Sequence, residues 1–142
     1  IDPIDQQGDQ VLMLSQFQAA IGNHRPQALI IRTLPNSNKK LFTNYSNTNP
    51  CYMEAAAAKW LAGIGVEHLL IDTPSVDREE DGGALAAHRA FWNHPENPRK
   101  HCTITELIYV PDDVNDGAYT LFLQVAPIEN DASPSRPVIF PK

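Results

Sequence analysis

Apolar residues in this chain gather in short runs separated by polar stretches, and the runs differ in period. ALIIRT (28–33) and VEHLLID (66–72) are continuous apolar runs of strand length. Such runs suit a parallel sheet covered on both faces, where no alternation is needed. Between them, CYMEAAAAKWLAGIG (51–65) consists of good helix formers, with Met53, Ala57, Trp60 and Leu61 on one side. Asn49 and Pro50 are placed as N-cap and first helical residue, and Gly63 or Gly65 ends the helix. Strand, helix and strand predict a right-handed βαβ unit. Upstream, MLSQFQAAIGNH carries Leu14, Phe17 and Ile21 at helical spacing, with Ser15 as N-cap and Gly22 as stop. Residues 1–10, polar and containing Pro3 and Gly8, read as a loop. Downstream, ALAAHRAFW predicts a short helix packing Ala84, Ala87 and Phe91, and CTITELIYV a partly alternating strand. Two further strands follow, one after a turn at Asp116-Gly117 and the last at SRPVIF. The expected fold is α/β: one mixed sheet, parallel at first and antiparallel at its end, flanked by helices near 15–22, 51–63 and 83–92.

The polar stretches carry the candidate chemistry. In open α/β sheets, ligands bind at the C-terminal ends of the strands. ALIIRT places Arg32 and Thr33 there, although a strand-end charge paired with an acid is the plainer reading of Arg32. VEHLLID ends in Asp72, Thr73, Pro74, Ser75, Val76 and Asp77, which suit a site and equally suit turn and capping chemistry. Leu34 to Asn49 is a 16-residue polar loop whose Phe42 and Tyr45 suggest packing at the lip of a pocket or against a second subunit. His68 reads as a core or edge residue, and His94 and His101 fall in or beside an exposed proline-containing loop. Glu106 stands inside an apolar run, where a carboxylate needs a partner, so it reads as a ligand or ion-pair member. His88 and Glu106 thus offer one imidazole and one carboxylate 18 residues apart. The spacing alone is compatible with metal ligands and with two unrelated residues.

With 142 residues, 42% of them hydrophobic, the chain is long enough for one domain over 1–142 with its own core. The net charge of -6 argues against nucleic acid and anionic membrane as partners. Two cysteines, Cys51 and Cys102, form no metal or disulfide framework and read as free thiols. No apolar run approaches transmembrane length and none has the pattern of an export signal; the chain opens at Ile1 rather than Met, so the missing signal does not decide export, and cytoplasmic is the expectation. No phosphate loop, GxGxxG, GxSxG or HExxH occurs.

Four blocks in order, IDTPSVD, AHRAFW, TITELI and NDASPSRPV, preceded by HRPQALIIRT and EAAAAKWLAGIGV, resemble the cyclase family. That family groups bacterial kynurenine formamidases with related metal-dependent hydrolases. The blocks cover nearly the whole chain, whereas the family's HxGTHxDxPxH signature is absent from it. The resemblance implies the C-terminal part of such an enzyme, with the swivelling β/β/α fold. It implies metal ligation by His88 and Glu106, with zinc or manganese as the ion. Two ligands fall short of the three a catalytic zinc takes, so this chain is expected to hold half a site, to retain little metal and to be inactive alone. The remaining ligands and the proton-transfer histidine are expected in the missing segment, so no catalytic residue is assigned here. Asp72, Ser75, Asp77 and Trp92 are candidates for the substrate pocket.

Two functions follow. The first is hydrolysis of a small amide by the parent enzyme, arylformamidase-like, as in tryptophan catabolism, with a small-molecule substrate. The second is a non-catalytic, truncated or degenerate α/β domain kept for binding or assembly. In either case apolar surface left without its other half predicts a homo-oligomer or a complementing N-terminal part.

Overall fold

A computed structural model describes all residues, 1–142, as α/β, with sheets flanked by three helices. The chain divides into two compact units, Ile1–Pro111 and Asp112–Lys142. No helix is long and apolar enough to cross a membrane.

The first unit is built on a parallel sheet of order β3-β5-β6, where β3 is Ala28–Ile31, β5 His68–Ile71 and β6 Thr103–Thr105. Ala28 pairs with His68 and Ile31 with Ile71, so ALIIRT and VEHLLID lie side by side as expected. Leu69, Leu70 and Ile71 are fully buried, which is why this strand shows no alternation. Two helices form the crossovers. α2 (Ala55–Gly63) leads from β3 toward β5, and α3 (Ala86–Trp92) leads from β5 toward β6. Ala57, Ala58 and Leu61 of α2 share one buried cluster with Ala87 and Phe91 of α3 and with the sheet. Arg99 fastens the far end of α3: its guanidinium lies 5.1 Å from the Phe91 ring centroid and donates to the carbonyls of Phe91 and Val66.

A second sheet, β1-β2-β4, stands where the sequence suggested only a loop. β1 (Ile4–Gln6) and β2 (Asp9–Leu12) form a hairpin around Gln7 and Gly8, both at positive φ, the turn geometry that matches strand twist. Its outer strand is exposed along its length, so no apolar pattern announces it. β2 pairs in parallel with β4 (Tyr52–Met53). That pairing also moves the start of α2 from Pro50 to Ala55, because the Met53 and Glu54 amides donate to Val76 and Leu12 instead of entering a helix.

α1 (Leu14–Ile21) buries Phe17 and Ile21 and ends at Gly22, φ 55°, as its spacing predicts. Its cap is Met13 rather than Ser15: the Gln16 side chain accepts the Met13 amide at 2.8 Å, and Glu54 accepts that of Leu14 at 2.8 Å. Amides at a helix start have no partner within the helix, and here side chains supply one.

The second unit is an antiparallel pair, β7 (Tyr119–Val125) and β8 (Ser135–Pro141), in register from Tyr119↔Pro141 to Val125↔Ser135. These strands form their own sheet and do not extend the parallel one, so the α/β class holds while the single mixed sheet does not. Phe122 and Phe140 meet edge to face at 5.4 Å on the exposed side of the hairpin.

Candidate metal centre

The ends of β5 and β6 and the start of α3 bring the candidate residues together. After Ile71 the chain turns through Thr73–Asp77, where the Thr73 hydroxyl donates to the Ser75 carbonyl and the Ser75 hydroxyl accepts the Asp77 amide. This turn delivers the buried Asp77 carboxylate to the first turn of α3. There it accepts the amides of Ala87 and His88 and, at 2.6 Å, His88 Nδ1. A carboxylate suits those amides because they lack intrahelical partners and carry the positive end of the helix dipole. An ionised carboxylate only accepts, so Nδ1 carries the proton and Nε2 of neutral His88 is left with its lone pair.

That Nε2 lies 3.4 Å from Glu106 Oε1. Glu106 follows β6 directly, and its Oε1 accepts the Val76 amide at 2.9 Å. Two atoms each ~2.1 Å from one tetrahedral zinc would be about 3.4 Å apart, so the spacing fits two ligands of a shared ion. The arrangement behind it also fits: a carboxylate holding the far nitrogen of a metal-binding imidazole is the usual outer-shell partner. Trp92, one turn along α3, sets its ring 5.2 Å from that of His88 and is itself fixed by donating Nε1 to the Cys102 carbonyl.

Electrostatics follow from this packing. Burial pulls the His88 imidazole down, but the Asp77 hydrogen bond and the Glu106 charge outweigh it and hold the group above its ordinary 6.5. Burial pushes Asp77 up, yet the bonds from His88 and the α3 amides leave it below the usual carboxylate range. Glu106 is raised, because burial exceeds the help from Val76 and His88. No cluster of three or more His, Cys, Asp or Glu is arranged to hold a metal ion, so the pair stands as two donors.

The other candidates divide. Ser75 and Asp77 line a cavity of about 510 Å³ walled by Tyr45, Pro50, Cys51, Pro74, Leu85 and Leu107. Tyr45 and its neighbours thus stand at a pocket lip, whereas Phe42 is 87% exposed and does not pack down. Trp92 is not among the cavity's lining residues and backs His88 instead. Asp72 is also outside it: fully buried, it accepts the Thr33 amide and hydroxyl and pairs with Lys40 at 2.8 Å. Arg32 donates to the Pro111 carbonyl at 2.9 Å. His68 bonds Thr103 across the β5–β6 pair.

Three features escape sequence reading. Lys40 gave no sign of burial in a polar loop. Asp77 reads in sequence as a strand-end acid and a pocket candidate, with nothing to mark it as the group that holds His88. Leu85 and Leu107 adopt left-handed backbone, φ 46° and 55°, where leucine is rarely found.

The structure is an α/β domain with two donors facing each other at the end of its sheet, and sequence comparison places it more closely. Residues 2–78 match the family described as "Putative cyclase". The chain belongs to the cyclase family. It is 37% identical over 82 residues to a kynurenine formamidase of Bordetella pertussis, covering 57% of this chain and 35% of the relative. The kynurenine formamidase of Bordetella avium is 30% identical over 130 residues, covering 90% of this chain and 56% of the relative. A Bacillus cytotoxicus enzyme of the same name is 31% identical over 116 residues, covering 81% and 50%. The chain therefore spans between about a third and just over half of these relatives' length. Two solved structures share the fold. One is described as a "predicted metal-dependent hydrolase from Bacillus stearothermophilus", with TM-score 0.61, 17% identity, and coverage of 92% of this chain and 62% of the other. The second is described as a "potential metal-dependent hydrolase with cyclase activity", with TM-score 0.58, 20% identity, and coverage of 94% and 64%.

Proposed function

We propose that these residues belong to a metal-dependent amidohydrolase of arylformamidase type, in which His88 and Glu106 supply part of the metal shell. The observation carrying this reading is the 3.4 Å approach of His88 Nε2 to Glu106 Oε1, with Nδ1 already held by Asp77. The names of the similar curated proteins make N-formylkynurenine the first substrate to try. Water would add across its formamide bond, releasing formate and the arylamine.

Imidazole and carboxylate suit zinc or manganese. Such an ion, when bound, polarises a carbonyl and lowers the pKa of water. This chain's own groups do the positioning. Asp77 fixes the His88 tautomer and aims Nε2, the Val76 amide orients Glu106, and Trp92 shields one side of the imidazole. Further ligands would come from the part of the whole protein that its relatives carry beyond the matched region.

The count of two donors favours a second reading, a binding or assembly domain without catalysis. Glu106→Gln in the whole protein separates the two. Metal content by plasma mass spectrometry and N-formylkynurenine turnover should both collapse, turnover by about 100-fold or more, because several kcal/mol of charge stabilisation depend on the ion. Turnover that survives with metal still bound would make Glu106 structural. A wild-type protein with neither metal nor turnover would establish the binding domain.

A further inference from the structure

The hairpin β7–β8 forms a sheet of its own with two outer edges, and only one of them is guarded. The Ala126 amide donates to the Pro134 carbonyl at 3.0 Å, and the Lys142 amide to the Ala118 carbonyl at 3.4 Å. Bonded and unbonded pairs alternate along an antiparallel ladder. Inward from these two ends, the register turns the backbone groups of Thr120, Phe122 and Gln124 toward β8. Those of Tyr119, Leu121, Leu123 and Val125 turn outward, as do those of Ser135, Pro137, Ile139 and Pro141 on β8.

On β8 two of the outward residues are prolines, so half the donors that edge could offer are missing. Proline, charge or shortness protects most edge strands from pairing with another chain. β7 has none of these: it is seven residues, YTLFLQV, without proline or charge. No other strand of the chain pairs with its outer side. A two-stranded hairpin is marginal in water, and further strands with an apolar face are what complete one. Such a face is present, because Phe122 and Phe140, each 52% exposed, stand edge to face beside the exposed Val138.

We infer that two copies of this chain join through β7, antiparallel about a two-fold axis at Phe122, into a four-stranded sheet of order β8-β7-β7-β8. Full overlap sets Tyr119 opposite Val125, and Leu121 opposite Leu123, of the other copy, so each outward amide meets an outward carbonyl. Phe122 then faces its own counterpart in an unbonded pair, where side chains come closest, and the two Phe122–Phe140 pairs merge into one aromatic row. Charge permits the contact, since each copy carries a net -6 and none of it lies on β7. Area permits it too. Phe122 and Phe140 each have roughly 100 Å² left to bury. With Val125, Val138 and the strand backbone, two copies together bury about 1,000 Å², the lower bound of a specific interface.

Sedimentation velocity of the full-length protein across the micromolar range, with amide exchange read by NMR at both ends of that range, tests this. A monomer–dimer equilibrium is expected. Exchange at Tyr119, Leu121, Leu123 and Val125 should slow as concentration rises, while Thr120, Phe122 and Gln124, already bonded to β8, change less. Leu121→Pro removes an outward donor without touching the bonds to β8, and Phe122→Lys sets like charges opposite each other at the axis. Each substitution counts twice in a two-fold dimer, so each should raise the dimer Kd at least about 10-fold. Should Leu121→Pro fail to fold, Phe122→Lys, at an exposed position, decides alone. A monomer at every concentration would overturn the inference, as would a dimer equally tight in the folded variants. So would protection of the outward amides that is independent of concentration, the mark of an edge covered by another segment of the same chain.

Discussion

Replacing Lys40 by methionine should destabilise the chain by about 3 kcal/mol, and the structure allows that figure to be worked out. Lys40 stands on the 3-10 turn Asn38–Phe42 of the long polar loop. Its ammonium donates to the Thr33 carbonyl at 2.6 Å, the Thr33 hydroxyl at 2.9 Å and Asp72 at 2.8 Å. The Lys40 side chain is 16% exposed and that of Asp72 not at all. Methionine keeps the apolar stem and removes the charge, so Asp72 is left as a buried carboxylate without its cation. Breaking a buried pair on one side costs about 3–5 kcal/mol. The low end applies because the Thr33 amide and hydroxyl still donate to Asp72.

Urea unfolding should show the loss as a lower midpoint at unchanged slope. For a chain of 142 residues, each kcal/mol corresponds to roughly 3–4 °C, so melting should fall by about 10 °C. Amides of Asn38–Phe42 should exchange faster, since the pair ties that turn to the ends of β3 and β5. Removing both charges, with Asp72→Asn added, should recover most of the loss, because no orphaned charge remains. A single variant within about 1 kcal/mol of wild type, or a double variant worse than the single, would refute this account of the loop.

Two further outcomes concern charge. Asp77→Asn should lower the His88 imidazole pKa toward 6.5, read by NMR titration, and a value unchanged or higher would show that Asp77 does not hold the ring. The sign matters for stability: with the folded value raised, the contribution of His88 is complete below pH 6.5 and is lost as pH climbs through the raised value. Asp9 behaves oppositely. Arg78, then Asn49 and Tyr52, hold its carboxyl at about 2, so its contribution is present above 3.8 and disappears as pH falls from 3.8 toward about 2. The urea-midpoint gap between wild type and Asp9→Asn should narrow across that interval, and a gap independent of pH would rule out the Asp9–Arg78 tie as a stabilising contact.

What the sequence reveals of this fold depends on how much of each element's information is local. β3, α2 and β5 are legible because their burial leaves a local trace: Leu69, Leu70 and Ile71 form a continuous apolar run, and Ala57, Ala58 and Leu61 fall on one side of a helix. β1 and β4 leave none. The first is exposed, and the second is two residues long and exists through its pairing with β2. The same holds at the site. Glu106 was conspicuous as a carboxylate in an apolar run, but its partner His88 was singled out by family resemblance, since nothing local joins residues 18 apart. Asp72 and Asp77 looked alike in sequence, two acids five residues apart, and only tertiary structure turns one toward Lys40 and the other toward His88. Leu85 and Leu107 are the least legible, because their backbone contradicts the preference of the residue itself.

Asp77 also explains why site and fold cannot be separated here. α3 has seven residues, too few for a stable helix in isolation, so it depends on burial of Ala87 and Phe91 and on satisfaction of its first amides. One Asp77 oxygen accepts the Ala87 amide, and the other accepts both the amide and the imidazole of His88. The carboxylate that completes the helix therefore also aims its histidine. Its own position is set by the Ser75 hydroxyl and by the turn leaving β5, next to the Val76 amide that orients Glu106. Residues 73–77 consequently hold both members of the pair at once, one through a side chain and one through the backbone. A shift in that turn would change the His88–Glu106 separation, and because Val76 of the same turn is anchored in the buried cluster, the core opposes such a shift. The distance between the two donors is thus a property of the end of the sheet rather than of two free side chains.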